Sequence, residues 1–265
     1  MARRHGPIEL HVRPGVSTDW ASFRREAPPY SIALDGYVIG PPAFTEDGPY
    51  ANFDHHAGVD RLATRSTCMQ VFLAIMLGLY DQFSKEGRPH AHVFVNDPDQ
   101  DTCLAIWLLA NPERVSEMSQ GRAITTLLVT EDILDCTGGA YPISPERLSI
   151  REQAWIFDPY MRARQEGRIG TMDAAAMHAL IDAVCERITR SADETHETIE
   201  LDARYEEVGG GPGWRLIVEH GAHARSALFA AGIRAFVTVR ERSDGAWTYS
   251  VARMSPFVAF PLEGL

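Results

Sequence analysis

Between Ile8 and Ile39 the chain is largely polar with short apolar runs, IELHV and then SIALDGYVIG inside a Pro-flanked stretch. The second run reads as one or two strands meeting at Asp35 and Gly36, a pair suited to ending or reversing a strand. An acid at such a strand end is well placed to reach a cleft. The Pro-rich GPPAFTEDGPY then reads as a loop that delivers the chain to Asn52 and the sequence ANFDHHAG. In TRSTCMQVFLAIMLGLYDQF, Cys68, Phe72, Ile75, Met76 and Leu79 recur at helical spacing, which predicts a buried helix capped by Ser66 or Thr67. HAHVFVNDP predicts a strand running into an acidic turn, and TCLAIWLLA resumes a helical pattern. A strand, an acidic loop and a helix in that order suit an α/β fold whose functional loops lie at the carboxyl ends of parallel strands.

Further on, GRAITTLLVTEDILDCTGGAYP joins an apolar run to Asp132, Asp135 and a Gly-Gly turn. From about Leu148 to Arg190 the pattern is helical, with IREQAWIFDPYMRARQEG expected to break at Pro159. DAAAMHALIDAVCERITR predicts an amphipathic helix with Asp173 near its start and Arg187 and Arg190 near its end, the charge placement that helix termini prefer. SADETHETIELDARYEE fits either helix or connector, and GGGPG after Val208 reads as a break and a linker. WRLIVEHG, HARSALFAAG, IRAFVTVRER and WTYSVARM then predict strand, helix, strand, strand, with a turn at SDG and an apolar tail SPFVAFPL. The expected fold is α/β, a mostly parallel sheet flanked by helices with a smaller C-terminal α/β module. The expected division is a metal-binding catalytic domain at 1–147, a helical bridge at 148–204 and a small substrate-binding module at 205–265.

Composition narrows the function classes. A chain of 265 residues with 45% hydrophobic content can bury a sizeable core as one large domain or two smaller ones. Its 36 acidic against 25 basic residues give a net charge of −11, which opposes diffuse binding to a nucleic-acid backbone. A small anion or a short oligonucleotide held by local contacts remains compatible, whereas an extended duplex does not. Cys68, Cys103, Cys136 and Cys185 lack CxxC spacing and read as buried thiols of a reducing compartment. MARRHGPIEL lacks an apolar signal core and no run reaches membrane-spanning length, so a cytoplasmic protein with no membrane partner is expected. Alanine-rich helix faces suit a homodimer or internal packing equally. The sequence has no dinucleotide fingerprint, Walker-type phosphate loop or nucleophile elbow, which disfavours nucleotide-cofactor and covalent-nucleophile chemistry.

The chemistry concentrates in two polar clusters. Asp54, His55 and His56 place a carboxylate and two imidazoles side by side. Adjacent histidines on a regular element point in different directions, so only one is expected to share a metal with Asp54 while the other faces substrate or a second metal. NDPDQD then carries Asp97, Asp99 and Asp101, and clustered carboxylates repel until a divalent cation relieves them. It lacks the terminal glutamate of an EF-hand loop. Taken singly, a solvated histidine pair and a solvated acidic turn are the plain alternatives. Together Asp35, Asp54, His55, Asp99, Asp101 and Asp135 form an oxygen-rich, imidazole-containing set that suits Mn²⁺, Mg²⁺ or Fe²⁺ better than structural zinc, with ligands enough for two ions. His56 and Arg253 are the candidate cationic catalytic groups, and His220 and His223 in VEHGAHARS the candidate substrate contacts beside a helix start. A surface ion pair for Arg253 and loop capping for the two histidines are the alternatives. His5, His11, His90, His178 and His196 have no partner pattern, and His92 differs only in that VFV leads from it to the acidic turn.

On these residues the chain resembles the DHH phosphoesterase superfamily, nearest to its melanocyte proliferating gene protein branch. FDHH at 53–56 is similar to the motif that names the family, RSTCMQVFLAI to the helix after it, and LDG at 34–36 to its aspartate-bearing strand end. LLVTEDILDCTGG is similar to a later aspartate-bearing segment, pointing to Asp135 with Asp132 as competitor, and IVEHGAHARSALFAAGIRAFVTVRERSDGAWTYSV resembles the second half of that branch. The family's Asp-x-Asp loop normally precedes Asp-His-His, whereas its best match here, Asp99 and Asp101, follows. The resemblance implies an α/β catalytic domain, a smaller substrate-binding domain and a manganese-favouring two-metal site with Asp35 bridging. The function it implies is hydrolysis of a phosphoester or phosphoanhydride in a small or nucleotide-like substrate by metal-activated water. A carbon–nitrogen hydrolase on the same scaffold and a non-catalytic binding protein keeping part of the site are the alternatives.

Overall fold

The computed structural model describes residues 2–260 apart from 47, 119–121, 243–244, 256 and 259. The chain divides into two units, Met1–Asp132 with Trp155–Glu197, and Ile133–Ala154 with Thr198–Leu265.

The chain begins with a hairpin of β1 (Arg3–His5) and β2 (Ile8–Val12), followed by α1 (Trp20–Glu26), capped by Asp19, and β3 (Ser31–Leu34). Next come β4 (Ala43–Thr45) and β5 (Tyr50–Phe53), so part of the Pro-rich stretch expected to be loop is an edge strand paired antiparallel with β5. Helices α2 (Thr67–Met76) and α3 (Leu79–Gln82), the short pair β6 (Ser84–Lys85) and β7 (Arg88–Pro89), and β8 (Ala91–Val95) follow. The helical elements are then α4 (Gln100–Ala110), α5 (Pro112–Met118), α6 (Arg122–Cys136), α7 (Leu148–Gln165) and α8 (Ala174–Ala192). Ser66 accepts the Met69 N–H to cap α2, and Asp173 accepts the Ala176 N–H to cap α8, as the patterns predicted.

The main sheet has the order β1-β2-β8-β3-β5-β4. Its four inner strands are mutually parallel and its two edge strands antiparallel. Ile8, Leu10, Ile32, Leu34 and Val93 are fully buried, and on the helical side α8 packs on β2, α2 on β5, and α4 on both helices. Every residue of α4 from Asp101 to Leu109 is buried, which marks it as the centre of that layer. Elsewhere Phe23 of α1 packs with Ala33, Tyr37, Val38 and Phe94. Because β8 enters between β2 and β3, the carboxyl ends of β8, β3 and β5 lie side by side.

Helix α7 does not break at Pro159. Proline leaves the carbonyl one turn back without its helical donor, and the Arg187 guanidinium of α8 donates to that oxygen, on Trp155. The same guanidinium lies over the Trp155 ring and approaches Asp158 Oδ2 at 3.3 Å.

The C-terminal sheet contains β9 (Tyr205–Gly211), β10 (Trp214–Glu219), β11 (Ala235–Glu241) and β12 (Trp247–Arg253), in the order β12-β11-β10-β9. Helix α9 (Ala224–Ala230) makes the crossover between the parallel β10 and β11, and Ile217, Leu228, Phe229 and Phe236 form the core. The order strand, helix, strand, strand after Trp214 is the predicted one, but GGG is strand rather than linker. A Cβ on Gly210 would stand 2.6 Å from the Trp214 carbonyl oxygen, and one on Gly211 2.7 Å from Trp214 Nε1. Only glycine lets this hairpin close. Residues 193–204 form no helix or strand, so the acid-rich stretch is a connector. The SDG turn and the SPFVAFPL tail lie partly outside the described residues. Among the described residues no helix is long and apolar enough to cross a membrane.

Candidate metal centre

At the end of β3, Asp35 and Gly36 adopt left-handed backbone, with φ of 49° and 79°, and turn the chain back so that the Tyr37 N–H bonds the Leu34 oxygen. Aspartate tolerates this conformation better than most residues. The carboxylate it delivers is buried and fixed from both sides. Thr67 Oγ1, in the first turn of α2, donates to Oδ1 at 3.0 Å, and Thr102 Oγ1, in the first turn of α4, donates to Oδ2 at 3.2 Å.

One strand over, Asp54 follows the last residue of β5. Its Oδ1 accepts the backbone N–H of His55 at 2.8 Å and of His56 at 3.0 Å, and lies 2.9 Å from His56 Nδ1. Its Oδ2 is buried with no hydrogen-bond partner among the described residues. Residues 54–60 have neither helix nor strand period. The two imidazoles therefore do not diverge as regular-element geometry predicted. They meet edge to face with ring centres 4.6 Å apart, and both approach Asp35 Oδ1, His55 through Nε2 at 3.8 Å and His56 through Nδ1 at 3.3 Å. The His55 ring is fully buried, whereas 39% of the His56 side chain is exposed.

After β8 the acidic loop reaches the same place. Asn96 Nδ2 donates to the Gly36 oxygen at 3.2 Å, tying this loop to the β3 turn. Asp99 caps α4 by accepting the Thr102 N–H at 2.8 Å. Asp101 accepts the Thr67 N–H at 2.7 Å on Oδ2 and the Cys68 N–H at 2.6 Å on Oδ1, a carboxylate laid across the positive end of α2. His55 Nε2 is 3.8 Å from Asp101 Oδ2.

The charges in this cluster are interdependent. Burial pushes the Asp35 carboxyl up, but the hydrogen bond and charge of His56, helped by His55 and by a hydrogen bond with Asp99, hold it below the usual carboxylate range. Asp99 moves well above that range through burial and the charges of Asp35 and Asp101, and burial also raises Asp97. His56 is lifted to about 10 by its hydrogen bonds with Asp35 and Asp54. Carboxylates crowded together in this way are the arrangement that a divalent cation relieves.

The remaining candidates come later in the chain. Asp132 is a structural residue: it accepts the Ser66 N–H and an Arg65 Nη1 hydrogen bond, each at 2.8 Å, at the start of α2. Asp135 is half-buried in the last turn of α6 and belongs to the second unit. In that unit His220 Nε2 lies 3.6 Å from Glu206 Oε2 and lines a pocket of about 390 Å³ with Glu219, Arg240 and Trp247. His223 occupies the cap position of α9, and burial lowers its pKa. The backbone N–H groups of His220, Gly221 and His223 bond the carbonyls of Arg204 and Asp202, so the anion-receiving donors expected there are already engaged. Arg253 ends β12 and donates to the Val258 oxygen at 3.4 Å.

The donor chemistry fits a divalent ion. Asp35, His55 and His56 bring ligand atoms within 4.8 Å of one another, next to the bare oxygen of Asp54. Clustered aspartates and histidines of this kind make a metal-binding site of the sort that metal-dependent hydrolases use. Sequence reasoning missed Thr67 and Thr102, whose only signal was their place in the first turn of each helix. Comparison with protein-family models, with curated proteins and with solved structures finds no match.

Proposed function

We propose that the chain is a divalent-metal-dependent hydrolase of DHH type that cleaves a phosphoester or phosphoanhydride in a small anionic or nucleotide-like substrate. The observation that supports this reading is the bare, buried Asp54 Oδ2 beside Asp35 and His55, at the carboxyl ends of adjacent parallel strands. Asp35, Asp54, His55, Asp99 and Asp101 would hold the ions, with Asp135 added by the family resemblance. Two Mn²⁺ per chain are the preferred occupants, with Mg²⁺ or Fe²⁺ as alternatives. Such ions supply a water that ionises near neutral pH and positive charge against the oxygens of the reacting group.

The chain's own residues do the rest. Thr67 and Thr102 fix the Asp35 carboxylate, and Asp54 Oδ1 orients His56 by accepting from its Nδ1. The exposed edge of the His56 ring is then the group that meets the substrate, contacting an anionic oxygen and giving a proton to the leaving group. In the C-terminal module His220 and His223 are the candidate substrate contacts and Arg253 the second candidate catalytic cation. The test is turnover of bis(p-nitrophenyl) phosphate and of nucleoside phosphates by metal-free protein resupplied with Mn²⁺. His56→Ala should lower kcat about 100-fold while leaving Mn²⁺ binding in place. Turnover that is unchanged by His56→Ala, or that needs no divalent ion, contradicts the proposal.

A further inference from the structure

A second group of donor atoms lies away from the Asp35 cluster, on β2 and β8. These strands run parallel in a register that sets Glu9 opposite His92 and His11 opposite Phe94. Strand alternation sends Ile8, Leu10, Val12, Val93 and Val95 to the buried face and Glu9, His11 and His92 to the other. Packing fixes both imidazoles. His11 lies flat on Phe94, with ring centres 4.4 Å apart and planes 6° from parallel, and His90 meets His92 edge-on at 4.9 Å.

His11 Nε2 is 3.3 Å from His92 Nδ1, and that same Nδ1 is 3.4 Å from Glu9 Oε2. One nitrogen carries at most one proton, yet it faces both a carboxylate oxygen and a second ring nitrogen. A proton on either link leaves the other contact poorly served, whereas a cation between the three atoms satisfies them together. The spacing agrees: donors held tetrahedrally at about 2.0–2.1 Å from a zinc ion stand about 3.3–3.4 Å apart. All three donor atoms lie within 4.8 Å of one another, and the Glu9 side chain is 44% exposed, which leaves the group open to solvent ions.

We propose that Glu9, His11 and His92 form a second divalent-metal site, of zinc type. Two imidazoles and one carboxylate favour Zn²⁺ over the oxygen-seeking Mg²⁺, and three protein ligands leave a fourth position for water or an anion. This site shares no residue with the Asp35 cluster and stands independently of the hydrolase reading.

The test titrates Co²⁺, a spectroscopic stand-in for Zn²⁺, into metal-free full-length chain and follows the visible absorption of four-coordinate cobalt. The expected result is bands that Zn²⁺ abolishes, that persist in Asp54→Asn, and that disappear in the His11→Asn/His92→Asn pair. Glu9→Gln, at a solvent-open position outside the core, should weaken Co²⁺ binding by at least roughly 10-fold with an unchanged circular dichroism spectrum. Absence of the bands in Asp54→Asn, or Co²⁺ affinity and spectrum unaltered in folded Glu9→Gln, overturns the proposal.

Discussion

Asp101 serves the fold as well as the site. Its two oxygens hold the first two N–H groups of α2, in a place where 1% of the side chain is exposed. Asp101→Ala leaves both donors buried and bare, and the expected loss is about 2–4 kcal/mol of stability, since hydrogen bonds to a charged group count for more than neutral ones. Urea unfolding measures it, and a loss under about 0.5 kcal/mol would contradict this role. Thiol chemistry gives a second check at this scale. Burial, helped for Cys68 by Asp101 and for Cys103 by Cys185, raises both thiols well above their ordinary range, and burial raises Cys185 to about 12. Native protein at pH 7.5 should leave these three unlabelled by iodoacetamide over a time in which denatured protein reacts fully, as read by peptide mass mapping. Rapid native labelling of Cys68 would show that the α2 start opens. The acids at Asp35, Asp54 and Asp99 were legible in the sequence because each follows a strand-like run. The partners that hold them were not. Thr67 and Thr102 look like ordinary first-turn residues, and Asp132 meets Ser66 across 66 positions of chain.

At the scale of elements, the apolar periodicity located α2, β8, α4, α8 and the C-terminal strands, and it failed where one side chain or one missing side chain decided the outcome. Pro159 reads as a helix end in any single segment; α7 continues through it with Arg187, from another helix, on the carbonyl that proline leaves open. That arrangement predicts coupling between the two positions. Arg187→Ala should cost about 1 kcal/mol more in the native background than in Pro159→Ala, whose new N–H can serve Trp155 instead. A double-mutant cycle by urea unfolding checks this, and strict additivity would contradict it. GGG failed as a linker for a related reason: the need for glycine came from Trp214 across the hairpin, and the local sequence only suggested flexibility. The position of the acidic loop was equally hidden. Asp99 and Asp101 follow FDHH in the chain, but β8 pairs with β3, which brings their loop beside the Asp35 turn.

For the whole molecule, the two histidines of the β2–β8 face set a pH dependence. Burial first, and then the neighbouring His92, push His11 down to about 4, and burial also lowers His92. Unfolded imidazoles titrate near 6.5, so between these values the unfolded chain binds more protons than the folded one and stability falls as pH drops. In metal-free protein the contribution of these two histidines to the urea midpoint should therefore fall as the pH drops from 6.5 towards 4, so that the decline over that range is shallower in His11→Asn. An identical pH slope in that variant would contradict the assignment. The net charge of −11 works in the opposite sense near the Asp35 cluster, where crowded carboxylates gain from any bound cation. The account's central claim is that those carboxylates and His55 hold metal, and elemental analysis with calorimetric Mn²⁺ titration tests it most directly. The protein is stripped with chelator, reloaded with Mn²⁺ and compared with Asp54→Asn and Asp35→Asn. The account predicts near two equivalents of Mn²⁺ in the native chain and a loss of at least one in each variant, with the unfolding transition retained. Absence of Mn²⁺ binding in the native chain, or binding that neither substitution changes, would contradict it.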